Sequence, residues 1–304
     1  MNKNKKVILL TNTGFCYGVS HSIKLVDDII KTNKYPKPIY LLNSIVHNEF
    51  VNNYFKDKGI TVLSGKSKLE LLDDISNGTI IFSAHGVSDI VKEKAKAKGL
   101  TIVDATCPFV ERSYQLIKEY LNNGYHLLYI GKKNHPETEA VLSFSSDITL
   151  VTDDNFEIPS YEKIAIAHQT TMSDYDVKHI YDYVVKKNDK IVIIPMICNA
   201  TKLRQEELTT TLEKSNLDNT LVIIVGDKAS NNCTKLYELG LRYTKNCIFI
   251  DSYESLDDEF VKKFDNFIIS SGTSTPLINV INVKKYLLKE KIKKNICLKD
   301  YINK

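Results

Sequence analysis

The sequence predicts an α/β protein of three similar βα lobes with parallel sheets. Three observations carry that prediction. Apolar runs of strand length alternate with helical patterns along the 304 residues. Three cysteines, Cys16, Cys107 and Cys198, follow one another at intervals of 91 residues, and each stands where an apolar strand ends and a helix opens. Inside each interval the same order of strands and polar clusters recurs, a coincidence far harder to obtain by chance than an equal spacing.

The elements follow in order. The strands before the cysteines read VILLTNTGFC, TIVDATC and IVIIPMIC, and the helices after them read YGVSHSIKLVDDII, PFVERSYQLIKEYL and NATKLRQEELTTTL. Pro108 and Asn199 suit helix beginnings. Next in each interval comes a strand ending in a polar cluster (IYLLNSIVHNE, HLLYIGKKNHPE, LVIIVGDKASNN), then a short strand (TVL, ITLV, CIFI). A third strand ends in another polar cluster: IIFSAHGVS, IAIAHQTTMS and FIISSGTSTP. The expected domains are therefore 1–106, 107–197 and 198–304, the last with a lysine-rich tail over 284–304 that reads as a solvated helix face.

Composition narrows the function classes. Hydrophobic residues make up 43% of the chain, enough for a large core, and the net charge of +4 demands no nucleic-acid partner while suiting a small anionic ligand. The apolar run near the N-terminus is four residues long, too short for a signal peptide, and no run approaches the roughly 18 residues of a membrane span. A cytoplasmic protein is expected, without membrane or nucleic-acid partner. In that compartment the six cysteines are metal-binding, catalytic or packing thiols rather than disulfides.

In parallel α/β sheets the working residues sit at strand carboxyl ends, beside helix N-termini. Cys16 occupies such a turn, where a sulfur faces the positive end of a helix and suits a nucleophile or a metal ligand. Three lobes around a pseudo-threefold axis would aim Cys16, Cys107 and Cys198 at one centre, as ligands either of zinc with a fourth histidine or of a cubane iron–sulfur cluster with one iron lacking a protein ligand. The CxxC pairs of structural metal sites are absent. An open iron suggests an enzyme whose substrate binds there. No dinucleotide or flavin fingerprint is present, so electrons for such an enzyme come from another protein.

The remaining strand-end residues suggest an anionic substrate. His47, His85 and His135, with Ser230, Asn231, Asn232 and Ser274, supply N–H and O–H donors beside helix starts, the composition of a phosphate cradle. Glu137, two residues after His135, is placed to deliver a proton, with Glu139 as its competitor further along the helix. Thr170 offers a hydroxyl at another strand end of the same lobe. His168 also ends a strand and reads as a supporting residue, whereas His21, His126 and His179 read as structural. Two motifs are set aside: HPE lacks the P-C-x-x-C of a nucleobase deaminase, and SGKS at 64–67 lacks the upstream glycine of a P-loop, reading instead as a helix cap.

The segments GFCYGV, HNEFV, FSAHGVS, DATCP, NHPETE, QTT, SNNCTKL and GTSTP together resemble the 4-hydroxy-3-methylbut-2-enyl diphosphate reductase family, in the right order from Val7 to Val283. The resemblance implies a cloverleaf of three α/β lobes around a central cluster. It implies Cys16, Cys107 and Cys198 as ligands of one four-iron four-sulfur cluster, His47, His85, His135, Ser230, Asn232 and Ser274 as diphosphate contacts, Glu137 as proton donor and Thr170 as a substrate contact. The implied reaction is reductive dehydroxylation of an allylic alcohol diphosphate to isopentenyl and dimethylallyl diphosphates, with ferredoxin or flavodoxin as electron donor. The sequence departs from the family near 230, where Asn231 replaces the second of two serines and Ala229 precedes Ser230. Cys233, Cys247 and Cys297 lie outside the repeat and read as loop, packing or surface residues. The competing readings are a zinc-dependent hydrolase of a phosphorylated metabolite and a non-catalytic iron–sulfur redox sensor.

Overall fold

The structure, a computed structural model, describes residues 5–152, 156–188 and 190–292. The lysine-rich end beyond 292 and Cys297 lie outside the described residues. The chain begins with β1 (Lys6–Leu9) and α1 (Tyr17–Thr32). The first repeat then runs β2 (Ile39–Leu42), α2 (Glu49–Asp57), β3 (Thr61–Leu63), α3 (Lys68–Asp73), β4 (Thr79–Phe82), α4 (Asp89–Ala97) and β5 (Thr101–Asp104). The second runs α5 (Pro108–Asn122), β6 (His126–Ile130), α6 (Pro136–Leu142), β7 (Ile148–Val151), β8 (Ile164–His168), α7 (Asp174–Lys187) and β9 (Val192–Ile193). The third runs α8 (Asn199–Glu213), β10 (Thr220–Val225), α9 (Asn231–Tyr243), β11 (Cys247–Ile250), a 3₁₀ turn (Tyr253–Ser255), α10 (Asp258–Val261), β12 (Asn266–Ser271) and α11 (Leu277–Leu287).

Among the described residues the strands form three four-stranded parallel sheets of one topology, ordered β3-β2-β4-β5, β7-β6-β8-β9 and β11-β10-β12-β1. In each, the strand leading to a cysteine lies at one edge and the short strand at the other. The apolar pattern explains the order. The inner strands β4, β6, β8 and β10 are buried at every residue, as continuous apolar runs require when helices cover both faces, whereas the edge strands β1 and β3 keep exposed positions.

β1 pairs in parallel with β12, Lys6 opposite Asn266 through Leu9 opposite Ile269. The N-terminal strand thus completes the third sheet, because the first already has its cysteine-leading strand in β5. The chain divides into two compact units: one holds the described residues up to Ser20, His47–Glu49 and those from Asn199 onward, and the other holds His21–Val46 and Phe50–Cys198. The first unit packs Leu221, Ile223, Val225, Phe267 and Val280 on one sheet face and Leu208, Val222, Ile224 and Leu236 on the other. In the second unit, Leu127, Tyr129, Val141 and Ala167 pack with α5, and Leu128, Ile130 and Ile166 with Val184 of α7, on opposite faces of the second sheet. Each fully buried Leu or Ile contributes about 1.5–3 kcal/mol through lost water contact.

Helix starts carry the expected caps. Ser67, the last residue of SGKS, accepts from the Glu70 N–H while Glu70 reaches back to the Ser67 N–H, so this motif is a capping box. Ser88, Ser173 and Ser230 cap α4, α7 and α9, each worth about 1 kcal/mol. No described helix is long and apolar enough to cross a membrane.

Candidate active site

Each repeated cysteine is anchored in one way. The Cys16 N–H donates to the Thr273 carbonyl (3.1 Å), the Cys107 N–H to that of Ala84 (2.9 Å) and the Cys198 N–H to that of Thr170 (3.1 Å). The three acceptors follow β12, β4 and β8, the strands beside the cysteine-leading strand in each sheet. Cys16 also takes the first turn of α1, with the Ser20 N–H on its carbonyl (2.9 Å) and the Val19 N–H on its Sγ (3.4 Å). All three are half-buried thiols, while Cys233 and Cys247 are buried, Cys247 within the apolar core of the third repeat. Burial pushes the Cys247 thiol up to about 12, and burial also raises that of Cys233.

The two acidic candidates differ in burial. Glu137 is 3% exposed, whereas Glu139 points outward to Lys68 (3.3 Å). Glu137 accepts from the Thr170 N–H at 2.8 Å and from the Thr170 hydroxyl at 3.0 Å. Burial raises its carboxyl and these donors pull it back, leaving it at about 7, the poise of a proton donor at neutral pH. Thr170 thereby joins the acid to the Cys198 backbone.

His135 caps α6, its Nδ1 accepting the Glu137 N–H at 3.2 Å. An accepting Nδ1 puts the ring proton of this neutral imidazole on Nε2, where it can be donated to an anion. The His85 ring stacks on it, with centroids 5.5 Å apart and planes 18° from parallel. The Tyr114 hydroxyl holds the His85 carbonyl at 2.8 Å. In the other unit, Ser230 caps α9 and its hydroxyl lies 3.4 Å from that of Ser274, which also donates to the His47 carbonyl at 3.2 Å. Asn232 accepts from the Thr273 N–H and donates to Thr201, both at 3.0 Å, fixing the loop that carries Ser274. Asn231 is buried at the first helical position.

His168 is 2% exposed; its Nδ1 bonds the Gln169 carbonyl and its Nε2 accepts the Met196 N–H, both at 3.0 Å, and burial pushes it down to about 4. It braces the segment leading to Cys198. His126 packs against Tyr161 (4.0 Å between centroids) and bonds Thr149, His21 lies in α1, and His179 bonds the preceding helical turn.

Sequence reasoning passes over Arg204 and Glu207. Arg204 is 5% exposed and donates to the Gly14 carbonyl (2.7 Å), and Glu207 accepts from the backbone N–H and side chain of both Thr11 and Asn12 at 2.6–2.8 Å. The helix after Cys198 thus grips the loop before Cys16. Their spacing of three places both on one helix face, which is the available signal, but partners some 190 residues away leave no local trace.

Repeated parallel sheets with thiols, imidazoles and a buried acid at their strand ends define an α/β enzyme of lobed construction. The LytB protein family matches residues 7–288. The chain is 38% identical over 277 residues to the 4-hydroxy-3-methylbut-2-enyl diphosphate reductases of Bacillus mycoides (strain KBAB4) and Bacillus cereus (strain B4264), covering 89% of this chain and 86% of each relative. The solved E-1-hydroxy-2-methyl-but-2-enyl-4-diphosphate reductase from Plasmodium falciparum superposes with a TM-score of 0.83 at 27% identity, over 98% of this chain and 96% of that one. A second solved structure, (E)-4-hydroxy-3-methyl-but-2-enyl diphosphate reductase, the terminal enzyme of the non-mevalonate pathway, gives 0.64 at 28% identity, over 94% and 99%. The chain belongs to the LytB family.

Proposed function

We propose that this chain reduces (E)-4-hydroxy-3-methylbut-2-enyl diphosphate, with two electrons and two protons, to water and isopentenyl or dimethylallyl diphosphate. The observation that carries the proposal is that three thiols hold one equivalent, identically anchored position in three copies of a lobe, in a chain 38% identical to reductases of that name. Nothing in these likenesses favours the zinc hydrolase or the non-catalytic sensor.

Cys16, Cys107 and Cys198 are the proposed ligands of one four-iron four-sulfur cluster. The donor set fits: three soft sulfurs, half-buried, with fixed backbones, and at Cys16 a helix N–H directed at the sulfur as cluster thiolates accept. Such a cluster supplies a Lewis acid and electrons, received from a ferredoxin or flavodoxin in the reducing cytoplasm.

The rest is the work of the chain's own groups. His47, His85 and His135 are the proposed imidazole donors for the diphosphate, His135 through its Nε2–H. Ser230 and Ser274, with Asn231 and Asn232, offer hydroxyls, amides and the positive start of α9 to the same anion. Holding the diphosphate orients the allylic end, so the reaction proceeds from one bound geometry. Glu137 delivers the proton that leaves with the hydroxyl as water and, once reprotonated, the proton that the allyl carbon takes up. Thr170, hydrogen-bonded to Glu137, can take the acid's proton on its hydroxyl oxygen while donating its own hydroxyl proton to the substrate, so it serves as relay.

The test is anaerobic purification with iron and acid-labile sulfide analysis, followed by reduction of the allylic diphosphate with an artificial electron donor. Formation of the two C5 diphosphates supports the proposal. A colourless zinc protein, or an iron protein inert toward this substrate, overturns it.

A further inference from the structure

We infer that Tyr114 is a positioning residue for diphosphate binding: its hydroxyl, reaching across from α5, holds the His85 backbone, and with it the imidazole, in place for the anion beside His135. The inference rests on His85 being a diphosphate donor, as proposed above.

The Tyr114 hydroxyl donates to the His85 carbonyl at 2.8 Å. Tyr114 is 4% exposed and rooted in the apolar layer of the second sheet, among Val110, Ile117, Leu127 and Tyr129. Its ring meets Phe144 edge-on, with centroids 5.2 Å apart and planes at 80°, so the phenol is fixed from its own side. His85, by contrast, follows β4 of the first sheet. One hydroxyl therefore ties a strand end of the first sheet to a helix that packs on the second.

Helix geometry explains the reach. A long side chain on a helix leans back toward the N-terminus, so the Tyr114 hydroxyl returns toward the start of α5, where the Cys107 N–H already donates to the Ala84 carbonyl at 2.9 Å. Two successive carbonyls, those of Ala84 and His85, are thus held from one helix. The Gly86 N–H closes the turn on the Ser83 carbonyl at 3.0 Å. Gly86 has a φ of +75°, and a Cβ there would come within 2.7 Å of Tyr114 Cε2 and 3.0 Å of its hydroxyl, so glycine both permits the turn and admits the phenol. Burial holds that phenol protonated far above neutrality, and it stays a donor at every working pH.

The clamp bears on the anion through the ring pair. His135 is fixed as the cap of α6, and the His85 ring lies on it with centroids 5.5 Å apart. A held His85 backbone keeps this arrangement ready before the ligand arrives, and without the hydroxyl each binding event must reorder it. The diphosphate stays attached from substrate to product. Ground state and transition state therefore lose the contact equally, which raises KM and leaves kcat in place.

The test uses anaerobically purified holoenzyme carrying Tyr114→Phe. The KM for the allylic diphosphate and the inhibition constant of inorganic pyrophosphate should both rise about tenfold, with kcat and the electron paramagnetic resonance signal of the reduced protein unchanged. Placing 4-aminophenylalanine at 114 puts an N–H donor where the hydroxyl was and should restore both constants. Ile117→Val, in the same apolar layer, should lower the melting temperature and move neither constant, which separates positioning from stability. If Tyr114→Phe folds poorly, Gly86→Ala, whose Cβ displaces the ring from the carbonyl, should raise both constants in its place. Constants that stay put in Tyr114→Phe but rise in His85→Asn overturn the inference, as does a matching fall in kcat or a failed rescue. Constants unmoved in His85→Asn itself overturn instead the diphosphate reading of His85 beneath it.

Discussion

Glu137→Gln should make the protein more stable at alkaline pH while removing its proton donor. Burial raises the Glu137 carboxyl from 4.5 to about 7, so the folded protein binds this proton more tightly than the unfolded chain does. The stability from that preference is complete below pH 4.5 and is lost as pH rises through 7. At 1.36 kcal/mol per unit the full span is about 3 kcal/mol, of which about 2–3 kcal/mol falls between pH 5 and pH 8. Glutamine does not titrate and escapes the loss. Its amide meets the Thr170 donors less well, an offset of about 1 kcal/mol at every pH, so the quantity to measure is the change with pH. At roughly 2 °C per kcal/mol for a unit of this size, the melting temperature of the variant minus that of wild type should rise by about 5 °C from pH 5 to pH 8. A constant difference across that range would show that Glu137 titrates as an exposed carboxyl does, and would refute the reasoning.

Other outcomes follow from the same geometry. His168 is pushed from 6.5 down to about 4, so its contribution is full above pH 6.5 and fades as pH falls toward 4, a loss of about 3 kcal/mol. Urea midpoints should show that loss in wild type and not in His168→Gln. Gly86→Ala forces a side chain onto a φ of +75° and within 2.7 Å of the Tyr114 ring, which holds the His85 carbonyl; about 2–3 kcal/mol of stability should go, measurable by calorimetry. Replacing Cys16, Cys107 or Cys198 with Ser should strip iron and sulfide from anaerobically isolated protein, whereas Cys247→Ser should cost stability and leave the iron content intact. Equal iron loss in all four would contradict the ligand assignment.

The fold and most candidate residues were legible before any coordinates. Strands buried on both faces must be continuous apolar runs, as LVIIV and IAIA are, and their carboxyl ends are where polar residues can cluster, so the cysteines and histidines announced themselves by register. The sheet that β1 joins is not legible there, because VIL reads alike in the first sheet or the third. Parallel pairing carries no turn between partners, so only the open edge beside β12 assigns it.

By itself the sequence determined the parallel α/β class, the threefold repeat of one lobe and the strand-end places of its reactive side chains, since these follow from hydrophobic period and local helix-start chemistry. Tertiary structure alone decided that Glu137 rather than Glu139 is the buried acid, that Thr170 holds it, and that Arg204 and Glu207 grip the loop before Cys16. Desolvation and hydrogen bonds between distant segments arise only when the chain is folded, and neighbouring residues in sequence do not encode them.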